Sequence, residues 1–539
     1  MNLVEHRRLE RMMRKILNRM CLKNVAYRMS MLPSQEIALN RIRRIVGDTT
    51  IERGDGKKII IHSINTRNMK HAYIEGGLAK ALQLRGHVPK IILCGGALNM
   101  CTAHHTIDKP YKVWHCEDCT AFSRRFCDAA KIDYATYYDY VTSFDYGTPT
   151  DIVLSDDFKD YTYKNVSVGY HTLTSANRYF KGSTPSKSAY NTILILEYIN
   201  AILATNLAEH VVEVEKPDIL ISSHECYSAW GCFSEYFIKN NITTRFYMPG
   251  EEWATIRFDR GRLQEYFDIY KTRHTMTELE NKELDIFIYK RVAGASGQVA
   301  HYNFTDVSKQ KLDKLYHFSD YDRTISMFPN VPWDAALHNA NVGFASPYDW
   351  IYTTIDTISK MPDTQLILKL HPSEKLFLES KKTLMESINE KYSDFPSNIK
   401  ILESDTRISP YSLLSFTDIG LVYNGTIGLE MSMMNIPVIA SGNAHYGNNG
   451  FTYDIMEPEE YITMLRTNIK PIPNQVQLSR QYAYFHFIKS FVPNNFIYYN
   501  SFLDMGWNIK SLSDFNPGKD RYMDHICDYI INGGVYQEW

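Results

Sequence analysis

The stretch DIGLVYNGTIGLEMSMMNIPVIAS, residues 418–441, reads as a strand, a turn, a helix and a second strand. Apolar residues run from Ile419 to Val422 and stop at Asn424-Gly425, where glycine permits a tight turn. Thr426 stands where a helix wants its N-cap, and a second apolar run follows at Ile436–Ala440. A strand that returns through a helix to another strand builds a parallel pair.

The same alternation extends outward. RTISMFPNV (323–331), TQLILKLHP (364–372) and NIKILE (398–403) read as strands, and SPYDWIYTTIDTISKM (346–361) and SPYSLLSFT (409–417) as helices. An earlier series has the same form. IIIHSI within GKKIIIHSINTRN (56–68) is a strand, AYIEGGLAKALQLRG (72–86) a helix ending at Gly86, and HVPKIILCGG (87–96) a strand. PDILISSHE (217–225), YSAWGCFSEYFIKN (227–240) and ITTRFYMPG (242–250) continue it as strand, helix and strand. The polar stretch 296–322 interrupts the pattern and reads as a linker. The expected organisation is therefore α/β, with two doubly wound Rossmann-like domains at 45–310 and 311–470. They are flanked by a basic helical segment at 1–44 and by C-terminal helices at 471–539 that pack back toward the first domain.

Hydrophobic residues make up 44% and charged residues 22% of the 539 positions, the balance of an ordinary globular enzyme. A net charge of −2 supplies no basic field for nucleic acid, so no such partner is expected. No long apolar run stands out as a membrane span, and the N-terminus lacks the apolar core of a secretory signal. Nine cysteines without such a signal point to a reducing, cytoplasmic setting. EHRRLERMMRKILNRMCLK (5–23) spaces Leu9, Met12, Met13, Ile16, Leu17 and Met20 along one helical face and surrounds them with arginines. Such a helix either lies on an anionic membrane surface, with residues 1–30 as a peripheral anchor, or packs on protein. Between residues 94 and 127 cysteines cluster. Cys116 and Cys119 have the spacing of a zinc knuckle that Cys101 or Cys127 would complete with a His, and an iron–sulfur cluster or buried free thiols are the alternatives.

In open parallel sheets ligands bind beyond the carboxyl ends of the strands, so the residues after each strand carry the functional reading. His371-Pro372 follows TQLILKL; the imidazole can donate to a phosphate beside the helix opened by Ser373 and Glu374, or be a plain loop residue. After DIGLVY, Asn424 and Gly425 turn the chain, and Thr426 either caps the helix or offers its hydroxyl to a phosphate. Glu430, one turn on, is placed to accept the two hydroxyls of a ribose. The third tip is GNAHYGNNGFTYD (442–454), where Gly442 lets the backbone approach a ligand and His445 or Tyr446 would touch its base, sugar or phosphate. Gly450 and Thr452 turn the chain away. A fourth tip, FPNVPWDAAL (328–337), adds Asn330 and Asp334. Together the tips describe one nucleotide-phosphate pocket.

Residues 323–455 resemble the capsule polysaccharide biosynthesis family, which includes the Kdo transferases that begin capsule linkers. That family has a His-Pro after one strand, a hydroxyl residue before G-x-E after the next, then G-x-x-x-Y-x-x-x-G-x-T. These fall on His371-Pro372, on Thr426 with Gly428-Leu429-Glu430, and on Gly442, Tyr446, Gly450 and Thr452. The resemblance implies a GT-B-like fold whose two domains face a cleft, with a nucleotide-sugar donor bound in the second. It implies a glycosyltransferase acting on a surface polysaccharide of capsule or lipopolysaccharide type, or on a lipid-linked glycan, at the inner face of the cell membrane. Leaving-group stabilisation then needs no metal, and no Asp-x-Asp is present to hold one. The alternatives are a teichoic-acid-type polyol-phosphate transferase, a nucleotide-sugar 2-epimerase of the same fold, and a non-catalytic nucleotide-sensing subunit of an assembly complex.

The base that deprotonates the acceptor should come from the first domain. ISSHE places His224, with Glu225 as orienter or rival, at the end of a strand. His62 and Asn65 at the first strand tip, with Gly76 and Gly77 beside them, are the expected acceptor contacts.

Overall fold

The computed structural model describes residues 23–538, apart from 50, 52–53, 65–68, 102–114, 142, 181–185, 251–253, 294–303, 333–340, 377–381 and 502–503. The basic face expected at residues 5–20 and the candidates Asn65 and Asp334 lie outside the described residues. The chain forms two compact units: residues 1–172, 195–260 and 491–539 make the first, and 173–194 and 261–490 the second.

The first unit carries a seven-stranded sheet. Strands β1 (Lys58–Ser63), β2 (Val88–Leu93), β3 (Tyr134–Thr136), β4 (Ile219–Ser222) and β5 (Thr243–Pro249) are parallel. Strand β6 (Thr255–Phe258) and the short Val492–Pro493 extend the edge antiparallel. The order is Val492–Pro493, β6, β5, β4, β1, β2, β3. From β1 the chain steps outward to β2 and β3, then crosses to β4 and steps outward to β5. The direction of winding therefore reverses between β1 and β4.

The second unit carries a six-stranded, wholly parallel sheet of β7 (Arg323–Phe328), β8 (Thr364–Lys369), β9 (Ile399–Leu402), β10 (Ile419–Val422), β11 (Val438–Ala440) and β12 (Tyr453–Asp454). Its order is β12, β11, β10, β7, β8, β9, so winding reverses between β7 and β10. Strands buried on both faces read as near-continuous apolar runs; β8, TQLILK, is buried at all six positions, with Thr364, Gln365 and Lys369 among them. Ile325, Met327, Leu366, Leu368, Ile419 and Leu421 form the centre of that core with Trp350, Ile351 and Ile355 of the helix Pro347–Ile358. Ser346 caps this helix by accepting from the Asp349 amide, and Pro347 at its first turn gives up no helical hydrogen bond.

The two Rossmann-like units bear out the expected α/β class, but the chain is divided differently from its linear reading. The second unit takes in 173–194, and its main segment begins at 261 rather than 311, with the helix Glu278–Val292 inside it. The supposed linker 296–322 contains a helix, Lys309–Tyr316, capped by Ser308. The C-terminal segment splits at 490: the helix Gln475–Tyr484 stays with the second unit and 491–539 joins the first. Nor is that segment all helix, since Ile497–Ser501 and Asp504–Trp507 form a hairpin. One helix among the described residues, Lys187–Glu215, is long and apolar enough to cross a membrane, although 72% of its apolar window is buried within the protein, as in a core helix.

Three expected acceptor contacts prove to be packing residues. His62 is wholly enclosed, stacked on Phe233 at 3.9 Å and joined through Nε2 to the Tyr137 hydroxyl at 2.7 Å. Burial pushes its pKa down to about 3. Gly76 and Gly77 lie inside the helix Met69–Gln83, where added Cβ atoms would meet the Phe126 ring at 2.5 Å and the Phe496 ring at 2.4 Å. Gly77→Ala should therefore destabilise the first unit by about 1–3 kcal/mol through overpacking, read as a lowered thermal midpoint with nucleotide binding by the second unit unchanged.

Candidate active site

The carboxyl tips of β7 and β10 are where a doubly wound sheet opens a crevice, and the second unit has a pocket of about 280 Å³ there. Phe328, Pro329 and Asn330 come from the β7 tip, Lys369 to Pro372 from β8, and Gly425, Thr426, Ile427 and Glu430 from the turn and helix after β10. Arg291, Phe304, Pro410 and Tyr411 complete the wall.

The turn after β10 is built on close backbone approach. The Gly425 carbonyl accepts from the Gly428 amide at 3.0 Å and from the Tyr446 hydroxyl at 2.7 Å. Gly428 makes the second bond possible, since a Cβ there would stand 2.1 Å from the Tyr446 oxygen. Tyr446 is thus wholly buried beneath the turn and supports it, and it is not among the residues lining the pocket. Thr426 makes no capping hydrogen bond, although it opens the helix Ile427–Met433 and lines the pocket.

At the β8 tip the Ser373 amide donates to His371 Nδ1 at 3.2 Å. A nitrogen that accepts carries no proton, so neutral His371 is an Nε2–H donor. Lys369, the last residue of β8, is buried and donates to the carbonyls of Glu403 and Thr406 at 3.3 and 3.0 Å. Burial pushes its pKa down to about 8. Asn330 Oδ1 and Asn424 Oδ1 are buried without a hydrogen-bond partner among the described residues. Asn330 lines the pocket; Asn424 does not.

Glu430 departs from its expected role. Its Oε1 pairs with Arg291 Nε at 3.0 Å and its Oε2 accepts from the Tyr411 hydroxyl at 2.8 Å. Both Arg291 and Glu430 are buried, and Arg291 also lies 5.1 Å over the Phe487 ring. The carboxylate therefore anchors a cation in the wall, with one partner already on each oxygen, while lining the pocket. Arg291 stands 139 residues from Glu430 in sequence and has no local motif. Lys369 left a fainter signal, as a lysine directly after the apolar run Leu366–Leu368.

The glycine-rich loop is mostly scaffold. Gly442 donates to the Tyr423 carbonyl at 2.8 Å and bridges Asn341. Thr452 donates to Asp454 Oδ1 at 3.0 Å, while Asp454 Oδ2 accepts from the Asn448 amide at 2.9 Å. Gly450 adopts φ +81°, open to glycine. His445 stacks on His486 at 4.2 Å and meets the Tyr482 hydroxyl through Nδ1 at 3.1 Å. These contacts hold the loop on the helix Gln475–Tyr484 and the π turn Phe485–Lys489.

In the first unit, His224 lies at the β4 tip with its Nδ1 2.8 Å from the Ser223 hydroxyl. That hydroxyl takes the orienting position expected of Glu225, whose side chain is exposed. Of the expected metal ligands, Cys101, Cys116 and Cys119 line one cavity of about 20 Å³, and Cys94 is the fourth cysteine there. Cys127 is not among its lining residues; it is buried elsewhere, and burial pushes its thiol up. Among the described residues no group of three or more His, Cys, Asp or Glu side chains is arranged to hold a metal ion.

Residues 264–477 match the family described as capsule polysaccharide biosynthesis protein. The matched stretch holds all six strands of the second unit and every residue lining its pocket, and it bears out the resemblance read from the motifs. No curated protein matches the sequence. Among solved structures, the KpsC beta Kdo 2,4 transferase of Thermosulfurimonas dismutans aligns over 52% of this chain and 83% of its own, with 11% identity and a TM-score of 0.34. The UDP-GlcNAc 2-epimerase of Neisseria meningitidis aligns over 80% and 99%, with 10% identity and a TM-score of 0.25. At these scores the assignment rests on the family match and on the site itself.

The dependence of the turn on Tyr446 is open to a double-mutant cycle. Gly428→Ala should cost about 1–3 kcal/mol by overpacking. In a Tyr446→Phe background the same change should cost clearly less, because the closest clashing atom is gone. Additive effects in denaturant titrations would contradict this coupling.

Proposed function

We propose that the second unit binds a nucleotide sugar and that the protein is a GT-B-type glycosyltransferase. It would move the sugar to a hydroxyl of a surface-polysaccharide or lipid-linked glycan. The observation that carries this reading is the pocket at the β7/β10 reversal, within the family-matched stretch, presenting His371 as an Nε2–H donor beside Lys369. In sugar transfer the bond from the anomeric carbon to the nucleotide phosphate breaks, and its electron pair leaves on the phosphate. That developing charge is what preorganised donors must meet. Arg291 and Glu430 neutralise each other as a pair, so His371 and Lys369 supply the anion complementarity. Asn330, whose buried amide oxygen has no partner among the described residues, offers an acceptor for a ligand hydroxyl or amine.

His371→Ala should raise the dissociation constant for the cognate nucleotide sugar severalfold or more and abolish transfer. A panel of CMP-, UDP- and GDP-sugars identifies that donor by thermal shift, after which titration calorimetry and product analysis read the variant. Normal transfer by His371→Ala would overturn the pocket assignment.

Lys369 adds a pH dependence. Its pKa in the free protein is near 8, so above that value anion binding must take up a proton, and affinity falls as pH rises. The fall approaches at most about tenfold per pH unit. Lys369→Met should bind more weakly at pH 7 and lose this dependence between pH 7.5 and about 9.5.

A further inference from the structure

Strand β2 ends at Leu93, and the chain turns at once through Gly95 and Gly96, whose φ values of +63° and +90° suit glycine. The turn is tight: a Cβ on Gly95 would stand 2.9 Å from Thr136 Cβ, and one on Gly96 would touch Cys116 Sγ at 3.6 Å. Around this turn Cys94, Cys101, Cys116 and Cys119 line one cavity of about 20 Å³. Four thiols therefore meet at the carboxyl tip of β2, from the segment that follows the strand and from the helix His115–Ala130. All of them belong to the first unit.

None of the four is in a disulfide, and among the described residues no three such groups are arranged to hold a metal ion. The chemistry of the cluster is then that of the thiols themselves. Cys116 and Cys119 stand three apart on their helix, which puts them on one face. At that spacing the Cα atoms of a helix are about 5 Å apart, within the range that a disulfide spans. Cys116 is partly exposed and Cys119 is buried, so an oxidant from solvent meets Cys116 first. We propose that Cys116 and Cys119 are a reversible redox pair, in which a hydroperoxide oxidises Cys116 and Cys119 closes the disulfide. The pair is independent of the sugar-transfer reading.

The Cys116 thiolate attacks a peroxide oxygen and the O–O bond breaks. The sulfur becomes a sulfenic acid, and the departing oxygen takes the proton that the thiol gave up. The Cys119 sulfur then attacks that of Cys116; an S–S bond forms, the S–O bond breaks, and water leaves. Two thiols have lost two electrons and two protons, and hydrogen peroxide has become two waters. A dithiol reductant restores both thiols by exchange.

The other cysteines contrast with this pair. Burial pushes the thiols of Cys127 and Cys232 up, and that of Cys527 up to about 12, so they keep their protons and are poor nucleophiles. Burial also raises Cys94, against the opposing backbone hydrogen bonds at Leu98 and Gly96, which makes it the weaker partner within the cavity.

The test treats the folded full-length protein with a small excess of hydrogen peroxide, blocks the remaining thiols and maps tryptic peptides by mass. Residues 113–124, bounded by Lys112 and Arg124, carry both cysteines in one peptide. That peptide should appear unblocked and two hydrogens lighter, and dithiothreitol should restore two blockable thiols to it. Cys119→Ser should leave Cys116 as a sulfenic acid that dimedone traps, and Cys116→Ser should leave Cys119 unoxidised. Thermal midpoints check that the variants fold, and the wild-type map decides without them. A disulfide from Cys116 to Cys94 or Cys101, oxidation confined to other cysteines, or no loss of thiols would overturn the pair.

Discussion

A side chain at residue 428 would leave no room for the Tyr446 hydroxyl, and the pocket of the second unit depends on that space. The hydroxyl reaches the Gly425 carbonyl only because Gly428 lacks a Cβ. This one bond couples the loop after β11 to the turn after β10, and the turn presents Gly425, Thr426 and Ile427 to the pocket. Packing of the loop on Tyr482 and His486 then holds Tyr446 from the other side. The glycines and aromatics of residues 442–454 thus serve shape, and the pocket is lined by residues at the ends of β7, β8 and β10.

Both units solve the same topological problem in different chemistry. Each sheet reverses its winding once, and the reversal of the second unit opens a pocket at the strand tips. In the second unit the crevice is lined by donors: an Nε2–H imidazole and a buried lysine, with an arginine held in the wall by Glu430. In the first unit the buried charge is the carboxyl group of Glu75, and the hydroxyls above it orient two imidazoles. Donor-rich surroundings such as the second unit's suit a phosphate that gains charge.

Most of the second unit was legible in its sequence, because strands buried on both faces read as apolar runs bounded by turn residues. Strands β7, β8, β9, β10 and β11 could all be read, and so could the tips carrying His371 and Gly425-Thr426. Strand β12 is only Tyr453 and Asp454, and β6 carries Arg257 within four residues, so neither reads as an apolar run. The pairing of Arg291 with Glu430 is set by tertiary packing across 139 residues, so Glu430 read as a free ligand group. The same holds for Glu75, which looks like an ordinary helix residue until Ser63 and Tyr247 fold over it. His62 and the Gly76-Gly77 pair misled for a related reason. Polar or flexible residues beside a strand tip suggest a site, and only the fold shows which of them point into the core.

The most direct measurement is a crystal structure of the protein saturated with the nucleotide it binds most tightly. The account predicts a phosphate oxygen within hydrogen-bond distance of His371 Nε2 and the nucleoside against Asn330 and the Gly425–Thr426 turn. Nucleotide seated at the β1/β4 tips of the first unit, with the second unit's pocket empty at saturation, would contradict it.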